Sequence, residues 1–516
     1  MTKEQQMALF REKREQMMRG GGAERIKAQY ERGKLTARER IELLSEEGSF
    51  IEHQAFITGR DASFGLGDKR YCGDGVVAGS AKVGDKQVFL FSQDFTVLGG
   101  SLGEMHAERI SQVQQLALRN GSPFIQINDS GGARIQEGVL SLDGYGKIFR
   151  NNTLASGVIP QFSVILGPCA GGAVYSPAIT DFVFMVDGIS NMYITGPDVI
   201  RTVTGEEISH EELGGAAAHC ARSGVSHFRY SSEQQCLEAV RHLLSYLPSS
   251  NLEQPPVVDT GDPVDRETPG LLALVPSDEK KAYDIKELIA EVFDRDTFIE
   301  VHAEYARTVV VGFARLAGRT VGIFANQPKV FAAALNIDAS DKASRFIRFC
   351  DAFSIPIVSL VDVPGFLPGV EQEHGGIIRH GAKILFAIAE ATVPKISLIV
   401  RKAYGGAYIC MASKALGYDR VIAFPTAQIA VMGPEGAANI IFRKEIAAAA
   451  DSQAKRAEKI EEFNTGVMNP FIAAGYGFVD DVIDPRHARI ELIRSVEMNL
   501  RKREDRPRRK HGNIPL

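Results

Sequence analysis

The second half of this 516-residue chain repeats the first, and that duplication limits the fold more than any other feature. Asn120-Gly-Ser-Pro123-Phe-Ile-Gln-Ile-Asn-Asp129 corresponds to Phe353-Ser-Ile-Pro356-Ile-Val-Ser-Leu-Val-Asp362, with Pro123 to Pro356 and Asp129 to Asp362 both separated by 233 positions. Pro160 to Pro394 and Gly171-Gly172-Ala173 to Gly405-Gly406-Ala407 are separated by 234, and Ile194-Thr-Gly196-Pro197 to Val431-Met-Gly433-Pro434 by 237. A period this long signals a duplicated domain and excludes a solenoid of short repeats. Two copies of one fold tend to pack about a pseudo-twofold, which brings equivalent sites face to face.

Within each copy, apolar strand-like runs bounded by Gly, Pro and Asp alternate with helical stretches. Gln87–Phe91, Phe124–Ile127 and Phe162–Leu166 read as strands, with a helix around Glu104–Arg119. The fold class is α/β. From Ser249 to Lys281 the composition shifts to Pro, Asp and Glu, which suits an exposed connector. We place the boundary near residue 260, giving domains 1–260 and 261–516. Residues 1–47 are charged and helix-prone, broken at Gly20-Gly21-Gly22 and restarted at Thr36, and read as an arm outside the core.

Composition excludes several classes. The chain is 44% apolar and 24% charged, as in an ordinary globular protein. No run approaches the ~18 apolar residues of a membrane helix, so no membrane insertion is expected. A net charge of −5 gives no overall attraction to nucleic acid. The N-terminus lacks the apolar core of a secretory signal, so a cytoplasmic location is expected. The six cysteines form no C-x-x-C pair, and His210 and His219 lack helical spacing; no metal site is expected.

The chemistry lies in the glycine turns. In each half an apolar strand ends in a small-residue turn that runs straight into a helix: Gly167-Pro-Cys-Ala-Gly171-Gly172-Ala173, and Ala403-Tyr-Gly405-Gly406-Ala407-Tyr408-Ile409. Such a turn leaves backbone N–H groups unpaired at the helix start, where the dipole also favours negative charge. It is a natural oxyanion hole, and each such donor is worth roughly 3–4 kcal/mol in a transition state. The competing reading is that Gly-Gly only lets a helix pack closely on a sheet; recurrence at one place in both halves argues against it. The loops Asp129-Ser-Gly-Gly-Ala133-Arg134 and Asp362-Val-Pro-Gly365-Phe366 follow strands; taken singly each reads as an ordinary turn, and as a pair they are expected to frame a ligand channel at strand ends.

The motifs Ser92-Gln-Asp-Phe-Thr, Asp129-Ser-Gly-Gly-Ala-Arg-Ile-Gln-Glu-Gly, Asn326-Gln327-Pro, Asp362-Val-Pro-Gly-Phe-Leu-Pro-Gly, Gly375-Gly-Ile-Ile-Arg-His-Gly-Ala-Lys, Arg401-Lys-Ala-Tyr-Gly-Gly-Ala-Tyr and Ala430-Val-Met-Gly-Pro-Glu-Gly-Ala resemble those of the β-subunits of propionyl-CoA carboxylase and of the related transcarboxylase and methylmalonyl-CoA decarboxylase chains. The resemblance runs from about residue 10 to the last residues. It implies two tandem crotonase-like domains with ββα superhelical cores, a hexamer built as a trimer of dimers, and sites between the N-terminal domain of one subunit and the C-terminal domain of its partner. It implies that the Gly171/Gly172 turn, with Ala173, holds an acyl-CoA thioester oxygen. The Gly405/Gly406/Ala407 turn would hold the ureido oxygen of biotin. Ala133, Arg134, Asn326, Gln327, Tyr408 and Ile409 would contact substrate. Carboxybiotin then releases CO2, its ureido anion takes the α-proton, and the enolate attacks CO2, so biotin itself is the base. With no Met-Lys-Met biotin-attachment sequence and no phosphate loop, the chain needs a biotin carboxylase and a biotin carboxyl carrier on other chains.

Family members specialised for propionyl-CoA often carry Asp where this chain has Ile409, which puts strict propionyl specificity in doubt. Gly99-Gly-Ser101-Leu-Gly103 matches a serine-hydrolase elbow formally, but an irregular segment separates it from its strand. Arg501 to Lys510 reads as a basic, solvated or subunit-docking end. The rival readings are the reverse transfer, in a methylmalonyl-CoA decarboxylase or transcarboxylase, and a non-catalytic scaffold subunit.

Overall fold

The structure, a computed structural model, describes residues 1–67, 69–278 and 281–516. The backbone divides into two units, Met1–Gln254 and Pro255–Leu516.

In the first unit, β1 (Ile51–Glu52), β2 (Val76–Val83), β3 (Lys86–Gln93), β4 (Phe124–Ser130), β5 (Gln161–Ala170), β6 (Phe182–Val186) and β8 (Phe228–Tyr230) lie side by side in the order β1-β2-β3-β4-β5-β6-β8, and β7 (Asn191–Tyr193) pairs with β5. β2 and β3 form an antiparallel hairpin, and every pairing from β3 onward is parallel. β4 is buried along its whole length, as a central parallel strand covered on both faces must be. Helices α4 (Glu104–Asn120) and α5 (Val139–Ala155) follow β3 and β4. Ile110, Val113 and Ala117, three and four residues apart, give α4 one buried apolar face, and Gly121 ends the helix in the left-handed conformation.

The second unit repeats this plan. β9 (Ile299–Val301), β10 (Val309–Leu316), β11 (Arg319–Asn326), β12 (Ile357–Val363), β13 (Lys395–Tyr404), β14 (Arg420–Ala423) and β16 (Asp481–Val482) follow the same order, and β15 (Gln428–Ala430) pairs with β13 as β7 does with β5. The repetition extends to irregularities. The ladder of the two central strands slips between Asn128 and Ser130 in one unit and between Val361 and Val363 in the other. Leu98, Gly99 and Gly100 run left-handed at φ 52°, 65° and 61°; Phe331, Ala332 and Ala333 do so at 44°, 50° and 67°. Non-glycine residues pay about 1–2 kcal/mol each for that conformation, so the fold imposes this bend even where the sequence resists it.

The terminal segments differ from the expected arm and tail. The first residues form three helices, α1 (Lys3–Met18), α2 (Ala23–Glu31) and α3 (Ala37–Leu44), and Thr36 opens α3 with a capping box to Glu39. α1 is exposed nearly throughout, with Met17 its one buried residue. Arg40 is fully buried and bonds both oxygens of Glu233, one oxygen of Asp129 and the carbonyl of Leu166, while Lys34 reaches Asp129 at 2.7 Å. Lys34 and the buried face of α3 belong to the first unit's interior, whereas α2 is exposed over most of its length. The basic C-terminal segment is likewise docked: Lys502 pairs with Asp419, Arg509 with Glu390, and Arg506 donates to the Ala391 carbonyl. Among the described residues, no helix is long and apolar enough to cross a membrane.

Candidate active site

The two glycine turns have the same local construction. β5 ends at Ala170, Gly171 takes φ +61°, and a tight turn over Gly171–Val174 leads into the helix Tyr175–Ile179. β13 ends at Tyr404, Gly405 takes φ +55°, and the helix Gly405–Ala412 begins at once. Neither start has a side-chain cap, so the first-turn N–H groups keep no partner of that kind. A Cβ on Gly171 would lie 3.9 Å from the Ile194 carbonyl and one on Gly405 3.1 Å from the Val431 carbonyl. Ile194 and Val431 are themselves equivalents in the repeat. Gly172 packs on the ring of Tyr145, where a Cβ would sit at 3.2 Å; Gly406 faces the ring of Phe366, with room at 3.6 Å.

A second amide faces each turn. Ala133 bridges Leu102 in parallel fashion: Leu102 donates to the Gly132 carbonyl at 2.9 Å and the Arg134 N–H donates to the Leu102 carbonyl at 2.9 Å. That alternation turns the N–H of Ala133 itself away from Leu102, toward the β5 side, where Gly132 lies against the Ala170 carbonyl. It has no acceptor among the described residues. Leu335 and Phe366 repeat the arrangement, with Leu335 donating to the Gly365 carbonyl at 3.0 Å and Leu367 donating to the Leu335 carbonyl at 2.8 Å. Phe366 is the site residue that motif reading passed over. The signal was present, since Ala133 plus the offset of 233 is position 366.

Three expected substrate contacts turn inward instead. Arg134 is 3% exposed; its guanidinium meets Asp74 at 2.8 Å and Glu137 at 2.7 Å, and donates to the Ser101 carbonyl at 2.9 Å. It fixes the loop that carries Ala133. Asn326 is fully buried and accepts the Asp362 N–H. Gln327, also buried, donates to Asp284 at 2.7 Å. Tyr408 and Ile409 do face the open side of the second turn. They line a cavity of about 540 Å³ with Gly405, Gly406, Tyr476 and Phe478. Ser101 is no nucleophile elbow: it follows a left-handed bend, and its hydroxyl donates to the Leu98 carbonyl at 2.8 Å.

The titratable groups beside both turns are held neutral. Burial pushes the Tyr145 phenol up, and raises the Cys169 thiol to about 12. Beside the second turn, burial raises Tyr408 and takes Cys410 to about 12. None of these is a base at neutral pH, so each turn offers hydrogen-bond donors and little else. Among the described residues no group of three or more His, Cys, Asp and Glu side chains is placed to hold a metal ion.

Residues 28–514 match the carboxyl transferase domain. The chain belongs to the carboxyl transferase family. Both units carry the crotonase-like fold, and this family member is an enzyme subunit. It is 55% identical over 516 residues to the carboxyltransferase subunit of a propionyl-CoA carboxylase from Haloferax mediterranei, covering all of both chains. It is equally 55% identical, over 515 residues and all of both chains, to the α-subunit of a methylmalonyl-CoA decarboxylase from Veillonella parvula. Among solved structures, it matches a transcarboxylase 12S hexamer with bound methylmalonyl-coenzyme A at a TM-score of 0.97 and 50% identity, covering 100% of this chain and 99% of that one.

Proposed function

We propose that this carboxyl transferase moves a carboxyl group between carboxybiotin and the α-carbon of a short acyl-CoA, converting propionyl-CoA to methylmalonyl-CoA, with acetyl- and butyryl-CoA as further substrates. The observation that supports this reading is the pair of equivalent two-sided amide clusters, Ala133 with Gly171–Gly172 and Phe366 with Gly405–Gly406–Ala407, each suited to an oxygen that gains negative charge. In the first, the amides hold the thioester oxygen and lower the energy of the enolate. In the second, they hold the ureido oxygen of biotin. Carboxybiotin, brought by a carrier protein on another chain, supplies the CO2 and the base. The chain positions both partners, and the neutral Tyr145, Cys169 and Cys410 leave the α-proton to the ureido nitrogen.

Each complete site takes its first turn from one subunit and its second from a partner, in a hexamer like that of transcarboxylase 12S. A biotin carboxylase and a biotin carboxyl carrier complete the enzyme, in the cytoplasm. The test uses the purified protein with methylmalonyl-CoA and free biotin, where biotin-dependent release of CO2 is expected. A folded oligomer without turnover would overturn the reading and favour a scaffold.

The equal identity to a methylmalonyl-CoA decarboxylase subunit favours a second reading, in which the same site runs the transfer in reverse. Recovery of the bound partners separates the two: an ATP-dependent biotin carboxylase marks the forward reaction, a membrane decarboxylase the reverse.

A further inference from the structure

We propose that Lys34 is a positioning residue for the thioester half of the site, holding from the N-terminal segment the strand exit that leads to the Ala133 amide. This rests on the acyl-CoA reading above.

The second unit shows what such an exit requires. Asp362, fully buried near the end of β12, meets Arg401 Nε at 3.0 Å through one oxygen and accepts the Lys402 N–H at 3.2 Å through the other. Arg401 stands on β13, the neighbouring strand, and its guanidinium also donates to the carbonyls of Asp278 at 3.1 Å and Lys281 at 2.8 Å. The balancing cation is thus built into the strand pair that frames the exit.

The first unit cannot use the same device. The equivalent of Arg401, 234 positions earlier, is Gly167, where a Cβ would lie 1.9 Å from Asp129 Oδ1 and 2.7 Å from Lys34 Nζ. Lys34 fills that place. Its buried ammonium donates to Asp129 Oδ1 at 2.7 Å, while Gln29 at 3.0 Å and Arg40 at 2.9 Å donate to Oδ2. Arg40 is committed to both oxygens of Glu233, so Lys34 supplies the charge that balances Asp129. Without Lys34 a buried carboxylate lacks its counter-charge, and a group so placed turns toward water or takes up a proton.

Asp129 is the point at which the chain leaves the sheet. It lies inside the ladder slip between Asn128 and Ser130, and Ala133 follows four residues later. Its N–H donates to the Gln93 side chain at 3.1 Å, and its carbonyl lies only 2.1 Å from where a Cβ on Gly100 would stand. With backbone and carboxylate both pinned, the loop leaves β4 in one direction and the Ala133 N–H keeps its aim. A donor to a developing oxyanion acts through preorganisation, so a loosened exit shows in kcat. The second unit holds its exit from within; only the first depends on the start of the chain.

The test follows biotin-dependent decarboxylation of methylmalonyl-CoA by the full-length oligomer in Lys34→Met, Lys34→Arg and the double variant Lys34→Met/Asp129→Asn, in which Arg40 still balances Glu233 and no buried charge is left unpaired. In the double variant the urea midpoint is expected to return toward wild type while kcat stays ~10-fold or more below it, part of the ~10²-fold that one oxyanion donor is worth. Lys34→Arg, which keeps the charge, is expected to keep most of the rate, and KM for biotin is expected to hold steady in all three. Arg401→Met is expected to do the reverse and raise KM for biotin. Wild-type kcat in the double variant would reduce Lys34 to charge balance and overturn the proposal. A loss seen with methylmalonyl-CoA but absent with the methylmalonyl thioester of pantetheine would overturn it too, since that pattern marks direct contact with the part of the ligand that pantetheine lacks. If wild-type protein turns over neither thioester, the acyl-CoA reading fails; hydrogen exchange of the amides from Gly131 to Gly138 then decides Lys34, with faster exchange expected in the double variant and unchanged exchange overturning its role.

Discussion

The side-chain oxygen of Asn326 accepts the backbone N–H of Asp362 at 3.1 Å, and Gln93 does the same for Asp129 at 3.1 Å in the other unit. Both bonds join the end of the hairpin strand to the end of the next strand, at the position where that strand's other ladder slips. The loops that present Phe366 and Ala133 start immediately after. A long-range side-chain bond thus extends each of these pairings one step past its last ladder residue, at the exit to the loop.

Replacing Asn326 by Ala leaves the buried Asp362 N–H without its acceptor. The expected cost is about 1–3 kcal/mol, read as a lower urea midpoint for unfolding of the second unit, with a parallel loss of transfer activity. An unchanged midpoint would show that water replaces the bond and that the exit angle is set elsewhere.

Gly406 separates packing from chemistry. A Cβ there would stand 3.6 Å from the Phe366 ring, an ordinary contact, and Ala is the better helix former. Gly406→Ala should fold with unchanged or slightly higher stability. Its Cβ would crowd the oxygen that the amides are proposed to hold, so kcat is expected to drop by roughly 10²-fold, the scale of losing one oxyanion donor. Full activity in this variant would mean that glycine serves only helix packing.

The pH response of the first unit follows from His106. Burial, then the nearby Arg134 cation, lowers its pKa from 6.5 to about 3. Its Nδ1 lies 3.0 Å from the Asp74 carbonyl, and Nε2 lies 3.3 Å from the amide nitrogen of Gln93. The ring is therefore neutral, donating through Nδ1 and accepting through Nε2. Between pH 6.5 and 3 the unfolded chain takes up a proton that the folded one refuses, so this contribution is complete above 6.5 and declines as the pH falls, with a limiting slope of about 1.4 kcal/mol per pH unit. His106→Gln should flatten the slope of stability against pH in that window. A slope as steep as in wild type would assign the acid sensitivity to other groups.

How much was legible in the sequence depended on range. The turns at Gly171 and Gly405 and the strands leading to them are local, and the duplication tied them together. Phe366 was recoverable from the same offset but hidden by a side chain that looks like core, since the role proposed for it belongs to its backbone N–H. Arg134 misled for the opposite reason: an arginine in a loop suggests a ligand, and only the fold reveals Asp74, 60 residues earlier, waiting for it. Arg40 likewise looked like part of a solvated arm until Glu233, 193 residues away, closed on it.

Ile409 tests the acyl pocket. It is 44% exposed in the cavity shared with Tyr476 and Phe478, so on the proposed function an added methylene of substrate would meet apolar surface there. Each buried methylene is worth about 0.8 kcal/mol, close to fourfold in kcat/KM. Ile409→Asp should reduce the butyryl-CoA to acetyl-CoA ratio by at least about fourfold. A wild-type enzyme strictly confined to propionyl-CoA would refute the broad preference.

The proposed division of each site between two subunits makes a quantitative prediction for mixed oligomers. Gly172→Val fills the first turn against Tyr145, and Gly406→Val fills the second; each homo-oligomer should be inactive because every site has one blocked half. When the two variants are unfolded together and reassembled, half of the dimers pair unlike chains. In those dimers one site collects both blocked turns and the other collects none. Recovery of about a quarter of wild-type activity is then expected, by random pairing across an isologous interface. Sites built within single chains would recover nothing on mixing, whatever the ratio of the two variants.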